Sequence, residues 1–432
     1  MNPSFAFNMT RFYHILSLIV VVVIIPVFTT LAVFSKHKFK FLRHHFGFVP
    51  KIKKGESKTL WLYALSLGEV KAAAPVLENL HNKNPHLKIV VSVTTDSGYE
   101  GAVKHLKMAE NIFFHPLDCL PFTCLALSRI KPDLYIVTDT GLWPGLTDQL
   151  YKQNTPQILF NGRISHRSAK GYLKAGSLFK TMFQQFDRLC MQNKNSKQAV
   201  AALGVAPDKV EVINDPKFDS LQALTNGDKK QLRETFKLDE GIPVWIAGST
   251  HAGEEEIILN VHQQLREMYP DLILILAPRR IERISEVAAL LQKKNLSFSR
   301  RSSLETSKSI VLLDTMGELA KVYSLGQVAF IGNSLIEPGG GHSLIEPLSH
   351  GIAVLHGPHI ENIGHVADEA HTNGLAFTVH NAEEIVKTVH SLLRHEERRI
   401  ELAGKAKKLI EDQQGASEKM SEIIQNVLRL TQ

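Results

Sequence analysis

Several charged residues stand where an apolar run gives way to a turn, the place from which a side chain can reach a ligand. Ser66-Leu67-Gly68-Glu69 follows the run 60–65, so Glu69 can act as a general base toward a substrate hydroxyl. It can equally complement the positive end of the helix that starts there. Asp139, in Tyr135-Ile136-Val137-Thr138-Asp139-Thr140-Gly141-Leu142-Trp143-Pro144, closes another such run. Its carboxylate suits developing positive charge on a sugar ring, or else the cap of the helix that Pro144 announces. Lys217, in Asn214-Asp215-Pro216-Lys217-Phe218-Asp219, can neutralise a phosphate or carboxylate, or simply be solvated.

A second group lies in the later half. Pro278-Arg279-Arg280 ends an apolar run, and guanidinium groups there suit phosphate oxygens. Asp314-Thr315-Met316-Gly317-Glu318-Leu319 repeats the arrangement further on. The densest signal is Gly332-Asn333-Ser334-Leu335-Ile336-Glu337-Pro338-Gly339-Gly340-Gly341-His342-Ser343-Leu344-Ile345-Glu346-Pro347. Backbone N–H groups in such a turn can cradle a phosphate, with Glu346 accepting from a ribose, unless the glycines are only a flexible loop. His251, His342, His356 and His359 lack metal-ligand spacing, so no metal site is expected.

These positions need a scaffold. Across 432 residues, 44% of them hydrophobic and 22% charged, the chain reads as globular and longer than one core usually organises. From residue 59 on, short β-branched runs alternate with amphipathic stretches, the pattern of βα units on a parallel sheet. Strands are expected at 60–65, 89–93, 112–115, 134–138, 158–160, 188–191 and 210–212. A second series follows at 243–247, 272–276, 310–313, 328–331 and 353–355. Helices are expected at 70–80 and 196–203, and a long one at 396–428 that packs back across both halves. The turn-forming Asn226-Gly227-Asp228 marks a linker near 220–240. The expected organisation is therefore an anchor at 1–35 and two doubly wound, Rossmann-like domains at 36–225 and 226–432, facing a central cleft.

The formal charge of +7 resembles a nucleic-acid signal until it is located. Eight basic residues against the single acid Glu56 lie between Lys36 and Lys58, so this segment alone accounts for it and the remainder is neutral. A basic stretch so confined suits an anionic membrane surface, and nucleic acid is not an expected partner. Residues 15–34 contain no charge and are long enough to span a bilayer core. Basic residues after that run put the body of the protein in the cytoplasm, although Pro26 could tilt the insertion. Cys119, Cys124 and Cys190 lack redox or zinc spacing and read as reduced, mostly buried thiols. The sequence carries no signal for oligomeric state.

Taken together, the motifs resemble those of the 3-deoxy-D-manno-octulosonic acid (Kdo) transferases of lipopolysaccharide synthesis, in order from about Arg43 onward. The resemblance implies a GT-B fold, a CMP-Kdo donor and a lipid A precursor acceptor. It also implies inverting transfer with no metal or other cofactor, at a bacterial inner membrane. It makes Glu69 the catalytic base and puts Lys217, in the intact Lys217-Phe218-Asp219, in the place that stabilises the transition state. The family's E-T-E-L-W-P is here Asp139-Thr140-Gly141-Leu142-Trp143-Pro144, so its first acid is shortened to Asp and its second is lost. Ser249-Thr250-His251 and Gly357-Pro358-His359 also match. Donor contacts are implied for Pro278, Arg279, Met316, Gly317, Glu318, Ser343, Leu344, Ile345 and Glu346. There Arg280 replaces a family His, and Ser343-Leu344-Ile345 replaces Asn-Pro-Leu. Such departures make this a divergent member. The rival readings are a transferase using a UDP-sugar and a catalytically weak membrane protein that binds sugar nucleotide or lipid.

Overall fold

The computed structural model describes residues 9–23 and 42–429 apart from 140, 165, 175, 222, 223 and 307. They form two compact units, one of residues 1–220 with 413–432 and the other of 221–412.

In the first unit the strands are β1 (Thr59–Ala64), β2 (Lys88–Val93), β3 (Asn111–Phe114), β4 (Leu134–Thr138), β5 (Gln157–Gly162), β6 (Arg188–Met191) and β7 (Val210–Val212). They make one parallel sheet in the order β3-β2-β1-β4-β5-β6-β7. Every residue of β1 is buried, because helices cover both sheet faces and alternate side chains serve opposite cores. Trp61 and Tyr63 enter one cluster with Phe113, Tyr135 and Leu146, while Leu60 and Leu62 enter the other with Val70, Ile136 and Phe160. A strand buried on both sides reads as an unbroken apolar run, which is why the sequence located all seven.

The second unit contains β8 (Val244–Thr250), β9 (Ile273–Pro278), β10 (Phe298–Arg300), β11 (Ile310–Leu312), β12 (Val328–Ile331), β13 (Ala353–His356) and β14 (Ala376–Thr378). Its sheet is again parallel, in the order β10-β11-β9-β8-β12-β13-β14. The edge strands β10 and β14 have no counterpart in the sequence reading. Each is three residues long and partly exposed, so neither presents an apolar run.

The described units divide differently from the expected domains. The boundary lies near 220 rather than 225, and the second unit ends at 412 rather than 432. The stretch 396–428 is two helices, Glu396–Gln413 and Ala416–Leu428, separated at Gly415, whose φ of 93° favours glycine. The last helix returns to the first unit because Met420, Ile423, Ile424 and Leu428 fill its core beside Val70 and Ala73. Asp219 fastens its start, accepting from the backbone N–H groups of Gly415 (2.7 Å) and Ser417 (2.6 Å). Asn226-Gly227-Asp228 is not a turn but the opening of the helix Asn226–Thr235, closed by a reciprocal Thr225–Asp228 capping box.

The anchor expected at 15–34 lies largely outside the described residues. Its described part belongs to a helix over 9–23, tied to the first unit by Tyr13, whose hydroxyl donates to Asp118 (2.6 Å), and by His14 against Asp148 (3.1 Å). Phe12, Ile15, Ile19, Val22 and Val23 on this helix are exposed. Among the described residues no helix is long and apolar enough to cross a membrane. Of the thiols, Cys119 and Cys190 are buried and Cys124 is exposed.

Candidate functional site

Doubly wound sheets open a crevice where the chain order reverses, because connections on either side leave toward opposite faces. In the first unit that reversal falls between β1 and β4. Glu69 follows β1, in the first turn of the helix Leu67–Lys83, and Asp139 follows β4. Topology therefore places the two candidate acids at the carboxyl ends of adjacent strands.

Glu69 is partly buried and accepts hydrogen bonds through Oε2 from the Leu65 N–H and from the Thr138 hydroxyl (3.1 Å). The bond to Leu65 fixes the start of the helix. Burial is the main cause that pushes its pKa up to about 7, and the negative charge of Asp139 adds to it. Leu65, Thr138 and the Arg163 guanidinium act the other way.

Asp139 does not cap the following helix. That helix, Pro144–Lys152, has Trp143 at its start without a side-chain cap. Buried Asp118 serves it instead, accepting from Gly145 (2.8 Å) and Leu146 (2.7 Å). Asp139 has φ of 57°, a conformation rare outside glycine but tolerated by Asp, with its N–H donating to Phe160 O (2.8 Å). This bend directs its carboxylate to Arg163, whose Nη2 donates at 2.6 Å and Nε at 3.4 Å. Arg163, just beyond β5, escaped the sequence reading because a lone arginine in a polar loop carries no pattern.

Lys217 lies in the short turn Pro216–Phe218, partly buried. No hydrogen bond or ion pair of its ammonium is recorded among the described residues. Its neighbour Asp215 is buried, accepts from the Lys217 N–H (3.0 Å) and from Gln192 (3.2 Å), and adds negative charge around Arg163. Phe218 is buried and Asp219 holds the last helix, so two residues of Lys217-Phe218-Asp219 serve the fold.

In the second unit the order reverses between β8 and β12. Here Glu254, fully buried, accepts from the N–H groups of His251 (2.9 Å), Asn333 (2.8 Å), Ser334 (2.9 Å) and Leu335 (3.0 Å). The N–H groups just after β12 thus already hold an anion, the protein's own. The glycines that follow are not a loose loop. Gly340 N donates to His359 O (3.2 Å) and Gly341 N to Asn333 O (2.7 Å), and a side chain at Gly340 would lie 2.2 Å from Asn362 Nδ2. His342, carried by this turn, meets His251 with Nε2 atoms 3.0 Å apart. Burial, Arg279 and His251 push His342 down to about 4, so one neutral ring donates and the other accepts.

Pro278 ends β9, and Arg279 and Arg280 after it are exposed. Met316 is 83% exposed beside Gly317, whereas the Glu318 carboxylate is engaged by Arg301 (3.0 Å) and the Thr315 hydroxyl. Ser343 leads into the short helix Ile345–Ser349, in which Glu346 occupies the first turn, while Leu344 and Ile345 are buried. His350 donates through Nε2 to Ala320 O (2.8 Å), which sets this helix beside Leu319–Val322, the continuation of Met316-Gly317-Glu318. The two motifs are therefore neighbours. Among the described residues no group of three or more His, Cys, Asp or Glu is placed to hold a metal ion.

Residues 40–220 match the family described as 3-deoxy-D-manno-octulosonic-acid transferase (kdotransferase). A 3-deoxy-D-manno-octulosonic acid transferase of Haemophilus influenzae is 33% identical over 427 residues, covering 96% of this chain and 98% of that protein. A bifunctional glycosyltransferase/methyltransferase of Fusobacterium nucleatum is 33% identical over 345 residues, 78% of this chain, which spans 53% of that longer protein. Among solved structures, a glycosyltransferase from Rickettsia africae shares the fold with a TM-score of 0.60 at 14% identity, covering 87% of this chain and 100% of its own. At 33% identity to the Haemophilus influenzae protein over nearly the whole of both chains, the chain belongs to the 3-deoxy-D-manno-octulosonic acid transferase family.

Proposed function

We propose that the protein transfers Kdo from CMP-Kdo to a hydroxyl of a lipid A precursor, with inversion and without a metal ion. The observation that carries the reading is Glu69, a carboxylate at the reversal point of the first sheet with its pKa pushed up to about 7. A base so tuned is unprotonated in a useful fraction near neutral pH yet basic enough to take a hydroxyl proton in the transition state. Glu69 removes that proton as the hydroxyl oxygen attacks the anomeric carbon and CMP departs. Lys217, with no recorded partner for its ammonium, pairs with an anionic group of the donor or leaving group.

The nucleotide belongs to the second unit in this reading. Arg279 offers guanidinium donors to its phosphate, and Met316, Gly317 and Glu346 line the nucleoside from adjacent short helices. Glu318 contributes by bracing its turn through Arg301. Enzyme incubated with CMP-Kdo and a lipid A precursor is expected to yield lipid heavier by whole Kdo residues, read by mass spectrometry, with EDTA leaving the rate unchanged. Transfer from a UDP-sugar but not from CMP-Kdo would overturn the donor assignment.

The proposed setting is the cytoplasmic face of a bacterial inner membrane, where a lipid acceptor resides. The exposed apolar residues on the helix 9–23 and the basic residues from Lys36 to Lys58 support it. Sedimentation with liposomes containing anionic lipid, lost on deleting residues 1–35, tests that placement.

A further inference from the structure

Arg163 is bound on one edge and open on the other. A guanidinium offers a side edge of Nε and Nη2 and an end edge of Nη1 and Nη2, each able to hold a carboxylate or phosphate with two hydrogen bonds. Asp139 occupies the side edge, at 3.4 Å from Nε and 2.6 Å from Nη2. Among the described residues no protein acceptor meets Nη1. The Arg163 side chain is 45% exposed, against 10% for Asp139, so the pair has a buried half and an open half. Asp215 and Glu69 add negative charge around the guanidinium but make no hydrogen bond to it. An arginine with a purely structural task would be expected to spend its donors on the fold; among the described residues this one leaves Nη1 without a protein acceptor, close enough to the candidate base to feel its charge.

We propose that Arg163 is an oxyanion receptor: a substrate carboxylate or phosphate seats on its Nη1–Nη2 edge while Asp139 holds the other edge and fixes the orientation of the plane. Asp139 is then a positioning residue whose charge is already matched, rather than a bare carboxylate facing the sugar ring. The inference rests on the transfer reading for its two anion sources, the carboxylate of the transferred sugar acid and a phosphate of the lipid acceptor.

The test compares full-length wild-type protein with Arg163→Ala and Arg163→Lys, using thermal unfolding to confirm that each variant folds. Arg163→Ala is expected to lower kcat/KM by roughly 100-fold or more with intact substrates, and Arg163→Lys to recover only part of it, because an ammonium cannot make the two-point contact. The assay is repeated with a donor whose carboxylate is reduced to an alcohol and with a dephosphorylated acceptor. The substrate whose anion Arg163 receives is the one for which wild type and Arg163→Ala become equal. A ratio unchanged with both analogues would overturn the proposal and leave Arg163 a brace for Asp139. Absence of all Kdo transfer by wild type would instead refute the transfer reading. The receptor is then judged by calorimetric titration with free Kdo and with inorganic phosphate. At least tenfold weaker binding of one of them to Arg163→Ala supports it, and binding of neither, or equal binding of both, overturns it.

Discussion

The Thr138 hydroxyl stands between two acceptors, 2.8 Å from Tyr63 O on the neighbouring strand and 3.1 Å from Glu69 Oε2 on the helix that follows that strand. It has one proton to give, so it supports the Glu69 carboxylate only by sharing. Loss of this donor removes one of the influences that lower the Glu69 pKa. With the Glu69 pKa raised to about 7, the acidic limb of the wild-type kcat/KM profile is expected near that pH, and Thr138→Val is expected to move it higher. Below that limb Glu69 is protonated and the rate falls about tenfold per pH unit; Glu69→Gln removes turnover at every pH. A wild-type profile flat from pH 5 to 8 would exclude Glu69 as the base.

Stability should respond in the opposite sense. The pKa of Glu69 rises from 4.5 in the unfolded chain to about 7 in the folded one. Folding thus binds its proton more tightly, and the favourable contribution present below pH 4.5 is lost as pH rises through 7. Glutamine cannot ionise, and its amide oxygen in the place of Oε2 can still accept from both the Leu65 N–H and the Thr138 hydroxyl. Glu69→Gln is expected to be as stable as wild type at pH 4.5 and more stable at pH 8, on the order of 1–3 kcal/mol. Urea denaturation of the first unit at the two pH values checks it.

Glu254 makes a separate case, because four backbone N–H groups, those of Ser334 and Leu335 buried, converge on one carboxylate. Glu254→Ala orphans all four, at a cost of roughly 3–5 kcal/mol. Glu254→Gln still accepts through one oxygen but turns an amide toward the donors of the other, so it should retain the fold with a displaced glycine turn. Its expected signature is weaker CMP binding, by about tenfold or more, with the first unit unchanged; CMP affinity equal to wild type would separate the Glu254 nest from nucleotide binding.

Both sheets and most strand positions were legible because doubly buried strands read as apolar runs, and reading where those runs end located Glu69, Asp139 and Lys217. What escaped depended on distance along the chain. Arg163 acquires meaning only from Asp139 across the sheet edge, and Glu254 reads as an ordinary acid in a first helical turn until residues 333–335 fold onto it. Asp139 offered two local readings, and Asp118, supplying the cap from another loop, removed one of them. The last helix has a clear apolar stripe, but periodicity does not say which unit that stripe will meet.

Gly141 shows how a lost acid can be locked in by its surroundings. A Cβ at this position would lie 2.5 Å from Tyr63 Cε1, and Tyr63 is fully buried with its ring 4.0 Å from that of His115. The ring cannot swing aside without displacing His115 and Trp143, which stack on each other. Gly141→Ala is therefore expected to cost about 1–3 kcal/mol through overpacking, and Gly141→Glu, which restores the acid of the family pattern, at least as much. Tyr63→Phe keeps the ring and gives no relief, whereas Tyr63→Leu makes room. A double-mutant cycle should then show favourable coupling of Gly141→Ala with Tyr63→Leu and none with Tyr63→Phe. If Gly141→Ala alone is neutral in denaturant unfolding, Tyr63 does not exclude a side chain there, and the missing carboxylate has another cause.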